Sequence, residues 1–155
     1  MIFAHVKLPA GDNAPRLRSL GLPVSTPHSA VRVPRLNQPC AAFDGCRCGV
    51  YGDRPDYCRD FECVLLKSVK AGRTEPEAAR RIIHAARERA DKVARLLRKL
   101  GNNEEQTALS ARFRRTTRRL QGADLDEETA EAYGQLTLAV HDLNLLLSEA
   151  LYPGR

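Results

Sequence analysis

Five cysteines stand between Cys40 and Cys63, and there are none elsewhere in a chain of 155 residues. Their spacing is Cys40-x5-Cys46-x-Cys48-x9-Cys58-x4-Cys63. Thiolates are soft, charged ligands that suit zinc, Cu(I) and iron–sulfur centres. A structural zinc site takes four ligands in a tetrahedron, and iron–sulfur clusters are held by four cysteines. Five thiols fill either site with one to spare, so Cys40, Cys46, Cys48, Cys58 and Cys63 are the candidate metal ligands. The spacing is neither that of a zinc finger nor that of a ferredoxin run, which leaves zinc and iron–sulfur both open. The competing readings are buried thiols that act as small hydrophobes and a disulfide scaffold. An odd number packed into one segment argues against the scaffold and suits a reducing, cytoplasmic location.

Local geometry narrows the ligand choice. Cys58 and Cys63 are five residues apart, which on one regular helix separates them by about 140°. Both reach a single ion only if the helix begins after Cys58. Cys46 and Cys48 would share one face of an extended strand, but Gly45 and Gly49 allow a tight knuckle equally well.

The stretch Cys48-Gly49-Val50-Tyr51-Gly52-Asp53-Arg54-Pro55-Asp56-Tyr57-Cys58-Arg59-Asp60-Phe61 resembles the second half of the YkgJ-like cysteine-cluster family, which is described as zinc- or iron-chelating. The shared pattern is C-x-I-Y-x-x-R-P-x-x-C-R-x-F, with an earlier cysteine that Cys40 matches. The likeness covers about 25 residues. It implies Cys40, Cys48 and Cys58 as the shared ligands, with Cys46 and Cys63 as additions. The family's N-terminal CxxCxxCC half is absent, since no cysteine precedes Cys40. Ile2-Phe3-Ala4-His5-Val6 resembles the residues just after that motif in relatives, so the expectation is a start codon assigned too late.

Within the motif, Arg54 and Arg59 could stabilise thiolates or an anionic ligand, or pair with Asp53, Asp56 or Asp60. Tyr51 and Phe61 are expected to wall the cluster. Of the histidines, His84 and His141 flank helical stripes and read as half-buried packing residues. His5 and His28 lie in the lead-in with no better claim as ligands.

The elements that must position these groups are set by periodicity. Residues 1–39 read as an irregular lead-in with extended pieces at Ile2–Leu8 and Val31–Leu36, and a short helix capped by Asp12 and ended by Gly21. A helix is expected from about Asp56, after Pro55, with Phe61, Leu65 and Val69 at helical spacing up to Gly72. Thr74 and Glu77 form a capping-box pattern before Ala79, Ile83, Ala86, Ala90, Val93, Leu97 and Leu100, with Gly101 as the stop. A second long helix is expected from about Asn103 to Leu120, burying Leu109, Phe113 and Leu120. A third, capped by Asp124 with Glu127, carries the stripe Tyr133, Leu136, Val140, Leu143 and Leu147, and stops before Pro153. Short loops between them imply antiparallel neighbours. The expected fold is mainly α: a small irregular cysteine-rich metal-binding lobe, residues 1–72, plus an antiparallel three-helix bundle, residues 73–152.

Composition excludes some function classes. Apolar residues make up 43% and aromatics 5%, with no Trp, so the core is aliphatic. No apolar run reaches the ~20 residues that span a bilayer, and no membrane partner is expected. The net charge is +6, with the excess of bases in residues 73–122 and an acidic stretch in residues 123–154 that can offset it. The run Arg112, Phe113, Arg114, Arg115, Thr116, Thr117, Arg118, Arg119 invites a nucleic-acid reading. At ~100° per residue, all five arginines fall on the half of the helix away from Phe113. That is also what any solvated amphipathic face looks like, so nucleic acid stands as an alternative only. No catalytic motif is visible: there is no nucleophile–base pair, HExxH or phosphate-binding glycine loop. The expected function is metal chelation, by zinc or an iron–sulfur cluster, with the metal at least partly structural. The alternatives are an iron–sulfur redox or modifying component, with a protein partner completing the site, and a nucleic-acid adaptor using Arg112–Arg119.

Overall fold

Short turn-forming segments rich in Pro and Gly fill the first third of the chain, and long amphipathic helices the rest. The computed structural model describes residues 4–27 and 32–151. Ile2, Phe3, His28, Val31 and Pro153 lie outside them. The described chain is mainly helical, with six α-helices and one three-stranded antiparallel sheet. It separates into two compact units: residues up to Phe61 together with Glu105–Ala111, and the remainder from Glu62.

In the first unit, β1 (His5–Lys7), β2 (Val24–Ser25) and β3 (Arg35–Asn37) form the sheet, with β3 in the middle. Val6 and Val24 both stand opposite Leu36, which is 1% exposed. The extended pieces expected from sequence contain β1 and part of β3; β2, only two residues long, gave no periodic signal. Helix α1 (Ala14–Ser19) packs Ala14 and Leu17 beside Leu8, Leu22 and Leu36 to make the core. Its cap corrects the expectation. Asn13, not Asp12, accepts the Arg16 N–H at 2.9 Å, a local bond typical of an N-cap. Gly21 ends the helix at φ 77°, with its N–H on the Arg18 carbonyl, a left-handed stop that glycine adopts without strain.

The single helix expected from Asp56 to Gly72 is instead two. Helix α2 (Asp56–Asp60) stops where Phe61 turns extended, and α3 (Val64–Lys70) restarts in the second unit. The Sγ of Cys63 accepts the Leu66 N–H at 3.4 Å, so a cysteine serves as the cap.

The second unit is built on α4 (Pro76–Lys99) and α6 (Glu127–Ala150), which pack along each other. The pair is antiparallel: Lys99 meets Glu128 at 3.1 Å, and Arg89 donates to the Asp142 carbonyl at 3.4 Å. Ala79, Val93, Leu97 and Leu100 are buried on one side, and Ala132, Leu136, Ala139, Leu143 and Leu147 on the other. Each buried leucine contributes about 1.5–3 kcal/mol. Ile83, placed in the stripe from sequence, is 43% exposed, while its neighbour Ile82 is half-buried. On α6 the buried line runs through Ala132 and Ala139, so Tyr133 and Val140 are only half-buried. Caps also shift. Glu75 precedes α4 without a side-chain cap, while Thr74 shares a 2.7 Å hydrogen bond with Ser68. Asp126, not Asp124, caps α6 by accepting the Thr129 N–H at 2.7 Å.

Helix α5 (Leu109–Leu120) starts about six residues later than expected. The α4 stop explains why. Gly101 turns at φ 78°, and Asn102 returns its N–H to the Leu97 carbonyl. Asn102 then accepts two bonds from Arg112: Nε to its Oδ1 at 2.9 Å and Nη2 to its carbonyl at 2.6 Å. Arg112 is 3% exposed, and Thr116, one turn on, is 1% exposed. The expectation that all five arginines face solvent is therefore corrected. Arg112 is an interior residue, and Leu109, Phe113 and Leu120 are half-buried.

Candidate metal centre

Four of the five cysteines belong to the first unit. Cys40 comes after β3 and packs, partly buried, against the Leu8–Leu36 core. The chain then forms a small knuckle: the Gly49 N–H reaches the Ala42 carbonyl at 2.7 Å, and Phe43 pairs with Cys48. At its tip, Asp44 Oδ1 accepts the N–H of Cys46 at 2.8 Å and of Arg47 at 2.6 Å. Those two bonds, that of Arg47 foremost, hold the Asp44 carboxyl below the usual carboxylate range. Gly45 supplies the positive φ, 104°, that the turn needs. Of the two local geometries open to Cys46 and Cys48, the knuckle is the one adopted. It leaves Cys46 exposed and returns Cys48 half-buried.

The loop from Cys48 to Cys58 is clamped by its own arginines. Arg54 lies over the Tyr51 ring at 3.5 Å and donates to the Tyr51 carbonyl at 3.1 Å. Arg59 donates to the Arg54 carbonyl at 2.9 Å and the Gly52 carbonyl at 3.0 Å. Neither expected ion pair with Asp53, Asp56 or Asp60 is what these contacts make; Asp53 pairs with Arg16 at 3.2 Å. Tyr51 and Phe61 are 66% and 43% exposed, and Phe61 stacks on Tyr57 with centroids 5.9 Å apart. They are surface rings rather than a wall.

Helix α2 carries Cys58, which is half-buried. Burial pushes the Cys58 thiol above its usual range, and the charges of Cys40, Cys48 and Asp12 push it further, opposed by Arg54. Cysteines from three separate turns thus bear on one ionisation. Cys63 falls in the second unit, where it caps α3. Sequence reasoning missed Asp12, which sits 44 residues from the turn it holds: its Oδ1 accepts the Asp56 N–H at 2.8 Å. No pattern along the chain could have signalled that.

Among the described residues, no three His, Cys, Asp or Glu side chains converge closely enough to grip an ion as they stand. The Oδ2 of Asp12 is buried and has no hydrogen-bond partner. His5 is half-buried in β1, its imidazole kept below its usual range by burial and by Arg35 and Lys7. His84 and His141 are exposed, not half-buried, and His84 lies 3.5 Å from Glu88. No helix among the described residues is long and apolar enough to cross a membrane. No protein-family model matches the chain, and neither a curated protein nor a solved structure is significantly similar to it.

Proposed function

We propose that this chain is a metal-chelating protein, for zinc or an iron–sulfur cluster, with Cys40, Cys48 and Cys58 as its core ligands and Cys46 or Cys63 as the additions the sequence suggests. The single observation that carries this reading is the placing of Cys40, Cys46, Cys48 and Cys58 in one small unit, with Cys40 against its core and Cys58 half-buried, although no three of them converge as they stand. The resemblance of residues 48–61 to the YkgJ-like family supports the same ligands.

In this reading the metal is partly structural. Among the described residues the first unit's core cluster holds five buried aliphatic residues, and a lobe that thin would gain fold stability from a bound ion. Metal binding would draw the thiols inward from where they now stand. The α4–α6 pair would serve as carrier, with a protein partner for the site. An iron–sulfur redox role is the second form of the same proposal. The nucleic-acid alternative is weakened by α5: Arg112 is interior, Arg115 pairs with Glu104 and Arg119 binds the Leu100 carbonyl.

The test is elemental analysis with a visible spectrum on protein purified without oxygen. About one zinc per chain without colour supports chelation. Iron with inorganic sulfide and a brown band supports the redox form. Protein that is metal-free, fully reduced and unresponsive to added zinc or iron would overturn the proposal.

A further inference from the structure

Helix α6 carries leucines on two sides. Leu136, Leu143 and Leu147 are buried, but Leu138 is 67% and Leu145 46% exposed. At ~100° per residue the exposed pair shares a stripe with Gly134, one turn before Leu138. Glycine inside a helix is destabilising relative to alanine. Gly134 is exposed, and a side chain there would meet nothing within 4 Å, so packing within the chain does not require it. A helix that is apolar on two sides is one covered on two sides, and bare backbone beside the leucines lets the covering element come close.

The neighbouring side of α4 is basic. At the seam between the two helices, Arg89 donates to the Asp142 carbonyl. On each helix that seam residue lies between the buried line and an exposed row, so both exposed rows flank the seam on the side away from the core. On α4 the row is Arg81, Ala85, Lys92, Leu96 and Lys99, within about 60° of one another. Its alanine and leucine are half-buried and its three bases exposed. On α6 the row is Gly134, Leu138 and Leu145, edged by the exposed Glu131 and Glu149. Helix α6 contains no Lys or Arg.

We propose that this face pairs with the same face of a second copy of the chain, making a four-helix bundle in which α6 of each protomer lies on α4 of its partner. The pairing goes beyond the metal-binding reading and does not depend on it. A two-fold axis parallel to the helices leaves each helix antiparallel to both of its neighbours, as in up-and-down bundles. Such an axis brings no shift along the helices, so α6 meets the partner's α4 at the level where it meets its own. The Arg89–Asp142 and Lys99–Glu128 contacts set that level. Leu145 then faces the partner's Ala85, Gly134 faces the partner's Leu96, and Leu138 lies along the aliphatic stem of the partner's Lys92. Glu149 comes level with the partner's Arg81, and Glu131 with the partner's Lys99. Large groups meet small ones and acids meet bases. Two contacts, each about 36 Å long and about 10 Å wide, remove about 1,400 Å² in all from solvent, inside the range of about 1,200–2,000 Å² for stable interfaces.

The experiment is sedimentation of the full chain over a wide range of concentration, kept reduced so that no disulfide links two copies. The parent is expected to sediment as a reversible dimer. Leu138→Glu combined with Leu145→Glu is expected to raise the dimer dissociation constant at least about tenfold. Gly134→Leu favours the helix of a lone chain and is nevertheless expected to weaken the dimer. Arg81→Glu and Glu149→Arg are each expected to weaken it, and the two together to restore it. Circular dichroism checks that the helices survive each change; if the leucine pair loses its helical spectrum, the exposed charge exchange decides alone. A parent that stays monomeric at every concentration would overturn the proposal. A dimer untouched by the folded leucine variant would place the contact on another face and overturn it too. So would a dimer that the charge exchange fails to restore, because α6 would then rest on something other than the partner's α4.

Discussion

A guanidinium that is 3% exposed needs its donors satisfied, and Arg112 meets that need on Asn102, just past the α4 stop. A hydrogen bond from a charged group is worth about 1.5–3 kcal/mol, and removing the donor leaves buried acceptors behind. Arg112→Ala is therefore expected to destabilise the second unit by about 3 kcal/mol, read as a lower midpoint in urea unfolding. Arg118→Ala, on the exposed side of the same helix, is expected to stay within about 0.5 kcal/mol of the parent. Equal effects from the two would mean that Arg112 is not an interior anchor. The contrast was hidden in the sequence, where both are members of one basic run. Periodicity ranks faces by hydropathy and so puts arginine outside by default; only Asn102, brought back by the Gly101 turn, makes an interior arginine tolerable.

Helix positions and helix ends differed in legibility. The repeats of Val93, Leu97 and Leu100 and of Leu136, Leu143 and Leu147 were visible in the chain and are buried as expected. Ile83 has the same spacing but lies near the start of α4 and is 43% exposed. Leu97→Ala is expected to cost about 2–5 kcal/mol by opening a cavity, whereas Ile83→Ala is expected to shift the thermal midpoint little. A calorimetric scan of both variants checks this. Caps were read less well, because several nearby residues can bond the first turn and the choice is made by chain direction. Asp126 won over Asp124 at α6. Bonds from Thr129, its backbone N–H foremost, hold the Asp126 carboxyl below the usual range. A carboxyl lowered on folding adds stability above its unfolded pKa, and that stability is lost as pH falls through the folded value. Thermal midpoints of the parent should thus fall more steeply than those of Asp126→Asn as acid is added below the ordinary aspartate range. Parallel curves would remove the cap from the account.

At the scale of the whole molecule the two units have different supports. The α4–α6 pair buries a long aliphatic seam, while the first unit has, among its described residues, a five-residue core cluster, a sheet of short strands and four of the thiols. If metal supplies part of the first unit's stability, a chelator is expected to speed amide exchange in β1, β3 and α2 and leave α4 and α6 unchanged. Equal protection before and after chelation would show that the lobe holds without metal. The sequence by itself determined the helical character of the second half, the glycine stops at Gly21 and Gly101, and the candidate thiols, because these depend on residue type and on spacing within a few turns. The tertiary structure alone decided the β1-β3-β2 order, the break between α2 and α3, the burial of Arg112, and the meeting of Asp12 with Asp56 across 44 residues. Each of these depends on which distant group satisfies a backbone N–H, a carbonyl or a charge, and the folded chain, not local periodicity, sets those pairings.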